Sequence, residues 1–386
     1  MASITGIGTS PYGNFPDRTA LSLAVEAVTD AVTDAALSRR DVAGVVTYGL
    51  DNDVAPHALA SALGLTELDF AYDFRAGGVA VSALLGVVDA ILAAQRDTGH
   101  VVVYRAVKGR SGHRYGGSGR SRIERASGES QYTAPHGWTT YAEHMAMWAS
   151  QHRHRYGTKD VDYAAVVLTQ RAHAQHNSRA VRRTPLTLDE YLGAEVLVDP
   201  FRRHDMCVEV DGACALVVSR DSLADTLRWP RVRIAATAQA SLPGAGSSGH
   251  EVMRLDSLLQ CYAALIASRL FERSGVSRTE LCGAQLYDSF SHSVLLQLES
   301  FGICPPGESG EYVRSGNCSI GGVLPTNTGG GMLAEGYLHG MNQYHEAVVQ
   351  LRGAAGARQI PDAWNMLVSS GATSTGSAAL LVRDAA

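Results

Sequence analysis

"NTGGGMLAEGYLHG", residues 327 to 340, is the stretch on which the reading of this chain turns. Three consecutive glycines, Gly329 to Gly331, mark a tight turn, since glycine enters left-handed backbone conformations without steric cost. The apolar spacing of "GMLAEGYLHGMNQYHEAVVQLRG" (331–353) then predicts a helix. Tyr337 stands near the start of that helix, where backbone amides favour an anion. A phenol placed there points to acid–base work, provided a second group shares it.

The candidate for that second group is Tyr287, at the end of the predicted strand "GAQLYD" (283–288). The plain alternative is a buried aromatic with a satisfied hydroxyl. Asp288 is either a turn or cap carboxylate or a proton carrier. His292 and His339, within a helical turn of the tyrosines, are candidates for tuning them, and His339 is equally a structural hydrogen-bonding residue.

Outward from this stretch, 386 residues predict two lobes, because a single core rarely outgrows about 250–300 residues. In the first half, strands "ASITGIGTS", "VAGVVTYGL", "HVVVYRAV" and "DGACALVVSR" alternate with helices "RTALSLAVEAVTDAVTDAAL", "GVAVSALLGVVDAILAAQ" and "WTTYAEHMAMWASQHRHRYG". A second round runs "RVRIAATAQA", "MRLDSLLQCYAALIASRLFERSG", "GAQLYD", "SHSVLLQLESFG", the helix after the glycines, and paired strands "AWNMLVSS" and "GSAALLVRD". The expected division is residues 1–225 and 226–386, both α/β, with an insertion at about 105–200.

Composition narrows the function. A net charge of −5 gives no general reason to expect nucleic acid or an anionic membrane. No leader and no uninterrupted apolar span is seen, so a cytoplasmic protein with reduced thiols is expected. The six cysteines (207, 214, 261, 282, 304 and 318) form no C-x-x-C and no zinc spacing, so no metal and no cofactor are expected. "GIGTSP" lacks the third glycine of a dinucleotide turn, because Pro11 occupies it.

The basic stretch from Tyr104 to Arg125 includes Arg105, Lys108, Arg110 and Arg114 among glycines and serines. It reads equally as a solvated loop and as a contact for the phosphates of coenzyme A or for a partner.

"NTGGGMLAEGYLHG", "LYDSFSHSVLLQLESFG" (286–302) and "HDMCVEVDGACALVVS" (204–219) together resemble the thiolase superfamily, in its sterol-carrier-protein branch. The resemblance implies two similar lobes in a five-layered αβαβα structure, and a homodimer formed through the first lobe around "HVVVYRAV". It also implies where the chain departs. A thiolase carries a cysteine nucleophile at the start of the first central helix, where "FRAGGVAVSALL" (74–85) offers Gly77 and Gly78. Tyr337 replaces the histidine that would activate the thiol, and "VSSGATSTGSA" (368–378) lacks the second catalytic cysteine. Without a thiolate no acyl-enzyme forms, so a working thiolase is not expected.

Two readings remain: an inactive acyl-CoA or lipid carrier or scaffold subunit, and an aldolase that needs no acyl-enzyme. Retro-aldol cleavage of a β-hydroxyacyl-CoA requires only a proton acceptor, a proton donor and an oxyanion site. The "YDSFSH" and "GYLHG" segments resemble those of the actinobacterial steroid side-chain-cleaving aldolases. That resemblance implies a 17-hydroxy-3-oxo-pregnene-20-carboxyl-CoA substrate, with androstenedione and propionyl-CoA as products. It also implies a partner with an OB-fold and zinc ribbon, giving a heterotetramer. Backbone amides of Gly329 to Gly331, or of Gly77 and Gly78, would bind the enolate oxygen, unless those glycines serve only close packing.

Overall fold

Val101 and Val103 face one side of their strand while Val102 and Tyr104 face the other, and each side meets a different core. The same period of two recurs at Leu216 and Val218 against Ala215 and Val217, and at Leu381 against Leu380. Such alternation of wholly apolar faces requires a sheet covered on both sides. In the computed structural model, residues 2–49, 54–74, 81–95, 97–112, 114, 128, 130–224, 228–245 and 258–384 are described.

Nine strands make one sheet: β1 Ala2–Thr9, β2 Val42–Tyr48, β3 Phe70–Phe74, β4 His100–Lys108, β5 Asp211–Arg220, β6 Val232–Ser241, β7 Ala284–Gln285, β8 Asn365–Ser370 and β9 Thr375–Arg383. Their order is β3-β2-β4-β5-β1-β6-β9-β8-β7. The halves meet between β1 and β6, where the register holds only Ser3 opposite Arg233 and Ile4 opposite Val232. Elsewhere the ladders are long, as in the pairing of β4 with β5 from His100–Ser219 to Lys108–Asp211.

Helices fill the layers on either side. On the outside of the first half lies α1 (Ala20–Asp34), against β1, β4 and β5. Next comes α2 (Pro56–Leu63), beside β2 and β3. Between the two halves run α3 (Val81–Ala94) and a fully buried helix, Met341–Leu351. The second half is backed by α4 (Tyr141–Tyr156), α5 (Asp160–Ala174), α6 (Ala263–Ser274) and α7 (Ser291–Ser300). With Met341–Leu351 as α8, the two halves of the sheet form separate layers, and the order reads helix, sheet, helix, sheet, helix, as the resemblance implied.

Three expectations are corrected. The segment after the glycines is not one helix: a four-residue helix, Gly331–Ala334, ends before Tyr337, and α8 begins only at Met341. Gly340, at φ +86, breaks the path between them. Second, β4 cannot carry strand pairing to another subunit, because β2 and β5 already occupy both of its edges. The outer strand of the first half is β3, with Tyr72 half exposed. Third, β4 continues through Lys108, so the basic stretch opens within a buried strand.

Candidate active site

Tyr287 follows β7 and is anchored by its backbone: its N–H donates to Ser369 Oγ at 2.8 Å, and its carbonyl accepts from Gln297 Nε2 at 2.7 Å. Tyr337 lies in the loop between Ala334 and Met341, its N–H donating to the Val208 carbonyl at 2.8 Å. These two anchors bring the phenols together, with the hydroxyl oxygens 3.0 Å apart. Tyr287 is 5% exposed, and its burial, with Tyr337 beside it, pushes its phenol well above the ordinary value. Because Tyr337 lies outside any helix, the expected help from helix amides is absent.

His339 joins the pair, its ring edge-on to Tyr337 with centroids 4.7 Å apart. Its Nδ1 accepts from Arg105 Nε at 3.0 Å, and its carbonyl accepts from the Tyr48 hydroxyl at 3.0 Å. Burial and the Arg105 charge hold this imidazole well below its ordinary pKa, so it is neutral at working pH.

Asp288 is fully buried and takes the cap position: its carboxylate accepts from Met332 N–H at 2.9 Å, Leu333 N–H at 3.2 Å and Gln343 Nε2 at 3.0 Å. Burial outweighs those donors, and its pKa is pushed up to about 7. His292 points elsewhere, its ring packing edge-on against His152 at 5.3 Å and Tyr163 at 6.1 Å. The structure does not bring His292 to the tyrosines.

The three glycines behave as packing residues. Gly330 and Gly331 have φ of +101 and +58, and a Cβ on them would meet Ala174 Cβ at 2.7 Å and Asp288 Oδ2 at 2.2 Å. Gly329 accepts at its carbonyl from Asn177 Nδ2 at 2.8 Å. Gly77 and Gly78 lie outside the described residues. Of the four cations named as coenzyme contacts, Arg105 is 1% exposed and occupied within the core. Lys108 is turned inward, bonded to the carbonyls of Phe15 and Arg18 and, at 3.2 Å, to Asp211. Arg114 pairs with Glu209 at 2.6 Å, and Arg110 is exposed. Two of the four are therefore internal struts.

Two features escaped the sequence. The link from Arg105 to the site was legible in principle, since strand alternation sets Arg105 on the inward face with Val101, Val103 and Val107. The other is a buried ionic network behind the glycine turn. Arg179 binds Glu335 at 3.1 Å and Glu346 at 3.4 Å, while Arg358 binds Glu346 at 2.9 Å. No sequence spacing announces it. Beyond Gly77 and Gly78, α3 begins at Val81, and its Ser82 is hydrogen-bonded to the Tyr344 hydroxyl and lies 3.4 Å from Ser370 Oγ.

The site is thus a pair of phenols with a neutral imidazole, in a thiolase-type fold whose nucleophile positions hold no cysteine. The fold and site define a thiolase-like protein without covalent acyl transfer. Residues 244–383 match the family described as the thiolase C-terminal domain-like family. The chain is 36% identical over 361 residues to the 17-hydroxy-3-oxo-4-pregnene-20-carboxyl-CoA lyase of Mycobacterium tuberculosis, covering 92% of each chain. It is also 36% identical to a steroid side-chain-cleaving aldolase of Thermomonospora curvata, over 96% of this chain and 95% of that one. A solved Ltp2-ChsH2(DUF35) aldolase superposes with a TM-score of 0.90 at 33% identity, covering 100% of this chain and 98% of the other. The chain belongs to the thiolase superfamily, in its branch of steroid side-chain-cleaving aldolases. It is a carbon–carbon lyase and not a working thiolase. Among the described residues, no helix is long and apolar enough to cross a membrane.

Proposed function

We propose that the chain cleaves a 17-hydroxy steroid acyl-CoA, of the 17-hydroxy-3-oxo-4-pregnene-20-carboxyl-CoA type, by a non-covalent retro-aldol reaction run by Tyr287 and Tyr337. The observation that carries the reading is the 3.0 Å contact between the two hydroxyls. Tyr337 accepts the proton of the C17 hydroxyl as the C17 carbonyl forms. The C17–C20 bond breaks, its electron pair passing into the thioester enolate. Tyr287, which burial keeps protonated, supplies the proton to C20. The products are a 17-ketone, androstenedione, and propionyl-CoA. No electron donor or acceptor is needed, so no cofactor is assigned beyond the coenzyme A carried by the substrate.

The same reading includes a homodimer, here through the outer strand β3, and an OB-fold and zinc-ribbon partner that completes the acyl-CoA site in a heterotetramer. Arg110, exposed just beyond β4, is assigned to the coenzyme phosphates or that partner. The test is incubation of the purified chain, with and without the partner, with the 17-hydroxy steroid acyl-CoA. Appearance of 17-ketone and propionyl-CoA supports the proposal. Tight binding without turnover in both arms returns the chain to the carrier reading.

A further inference from the structure

Arg105 is a cation at 1% exposure in the middle of β4, on a face otherwise made of valines. Burying a guanidinium there is costly unless its charge and donors are engaged. Its Nε donates to His339 Nδ1 at 3.0 Å, and its guanidinium lies 5.9 Å from the centre of the Tyr48 ring. Tyr48 in turn holds the His339 carbonyl at 3.0 Å. His339 itself sits at φ +52, a conformation uncommon for a side chain-bearing residue and maintained only where surroundings fix it. Several contacts therefore converge on one imidazole, whose edge meets Tyr337. Because Nδ1 accepts, the ring proton resides on Nε2.

We propose that Arg105 is a positioning residue for the tyrosine pair: through His339 it fixes the orientation and tautomer of the imidazole beside Tyr337, and its charge favours the anion that forms there. The inference rests on the tyrosine reading above. The other titratable and charged groups around the pair are Tyr48, Tyr141, Cys207, Asp288, Glu209 and Arg182, the last directed to the carbonyls of Met206 at 3.2 Å and Leu333 at 3.0 Å. Asp288 is committed to the amides of Met332 and Leu333, and Glu209 is paired with Arg114 at 2.6 Å. Neither carboxylate supplies the positive field that an anion on Tyr337 requires. The buried Arg105 does, and burial leaves that field little screened.

The test uses the full chain with its partner and compares Arg105→Met, Arg105→Lys and His339→Asn with Tyr337→Phe. For Arg105→Met, kcat falls about 10- to 100-fold with KM within about threefold. The acid limb of the kcat profile moves up by about one pH unit, because loss of a positive charge disfavours the phenolate. Arg105→Lys keeps the charge and returns the limb toward the wild-type position. A folded Arg105→Met protein with a wild-type profile overturns the inference, as does a kcat loss with an unmoved limb that lysine does not rescue. If Arg105→Met does not fold, His339→Asn decides, since asparagine tolerates positive φ. It removes the link without removing a charge, so kcat falls about 10-fold or more with KM within about threefold, and a native kcat overturns the inference. Near-native turnover in Tyr337→Phe defeats the tyrosine reading itself, whereas an inactive Tyr337→Phe beside a wild-type Arg105→Met profile defeats only the role of Arg105.

Discussion

The hydroxyls of Tyr287 and Tyr337, fifty residues apart in the chain, meet at 3.0 Å because two unrelated backbone anchors, Ser369 and Val208, hold them there. Either phenol can donate to the other, so a proton taken by one is passed or compensated by its neighbour.

Tyr287→Phe and Tyr337→Phe each lower turnover by about 10²- to 10⁴-fold. Stability changes by only about 1 kcal/mol, since each loses one hydrogen bond and keeps its ring. In deuterated solvent the wild-type chain places deuterium at the α-carbon of propionyl-CoA, read by mass spectrometry. Near-native rates in both variants would make the pair mere core residues.

Iodoacetamide leaves most activity intact. Cys214, Cys261, Cys304 and Cys318 are buried, and Cys282 and Cys207 are only partly exposed. Cys207, whose N–H binds the Ser289 carbonyl, adjoins the site, and burial pushes its thiol up and slows its reaction. Mass spectrometry should find Cys282 labelled before Cys207, with turnover preserved. An acyl group recovered on any cysteine would contradict the non-covalent mechanism.

Gly330→Ala and Gly331→Ala destabilise the fold by about 2 kcal/mol or more, combining positive φ with contact at Ala174 and Asp288. Denaturant unfolding measures this. A change in turnover without loss of stability would instead favour an oxyanion role for these glycines.

Asp288 gives a pH signature. Its pKa rises on folding from an ordinary 3.8 to about 7, so the folded chain holds a proton that the unfolded chain releases between those values. Its contribution to stability is complete below about pH 4 and is lost as pH rises to about 7. The stability difference between wild type and Asp288→Asn, followed by denaturant midpoints across this range, therefore shrinks with rising pH. A difference that grows instead would show that the donors on Asp288 dominate its burial.

Much of the fold was legible because period-two runs such as "HVVVYRAV" and buried helices such as "GVAVSALLGVVDAILAA" are local signals. The short edge strand Phe70–Phe74 and the helix Pro56–Leu63 carried too little pattern to be noticed. In the site, the meeting of Tyr287 and Tyr337 was anticipated. The orientation of His292 was not, because helical spacing gives proximity along the chain and says nothing of which layer a ring enters. Arg105 was taken for a loop cation because glycines beyond Lys108 dominated the local composition. Its burial follows from strand alternation within "HVVVYRAV", which sets it on the inward face with Val101, Val103 and Val107.

Arg105 comes from the first half of the sheet and His339 from the second, and only two register pairs seam those halves along the sheet. The contact that fixes His339 beside Tyr337 therefore belongs to neither half. A rotation of one half against the other would stretch the 3.0 Å bond between them and release the imidazole, even with both tyrosines undisturbed. On the proposed mechanism the chain is a coincidence detector for its own assembly: polypeptide severed between Arg220 and Val232 would regain turnover only on reassociation of the two pieces.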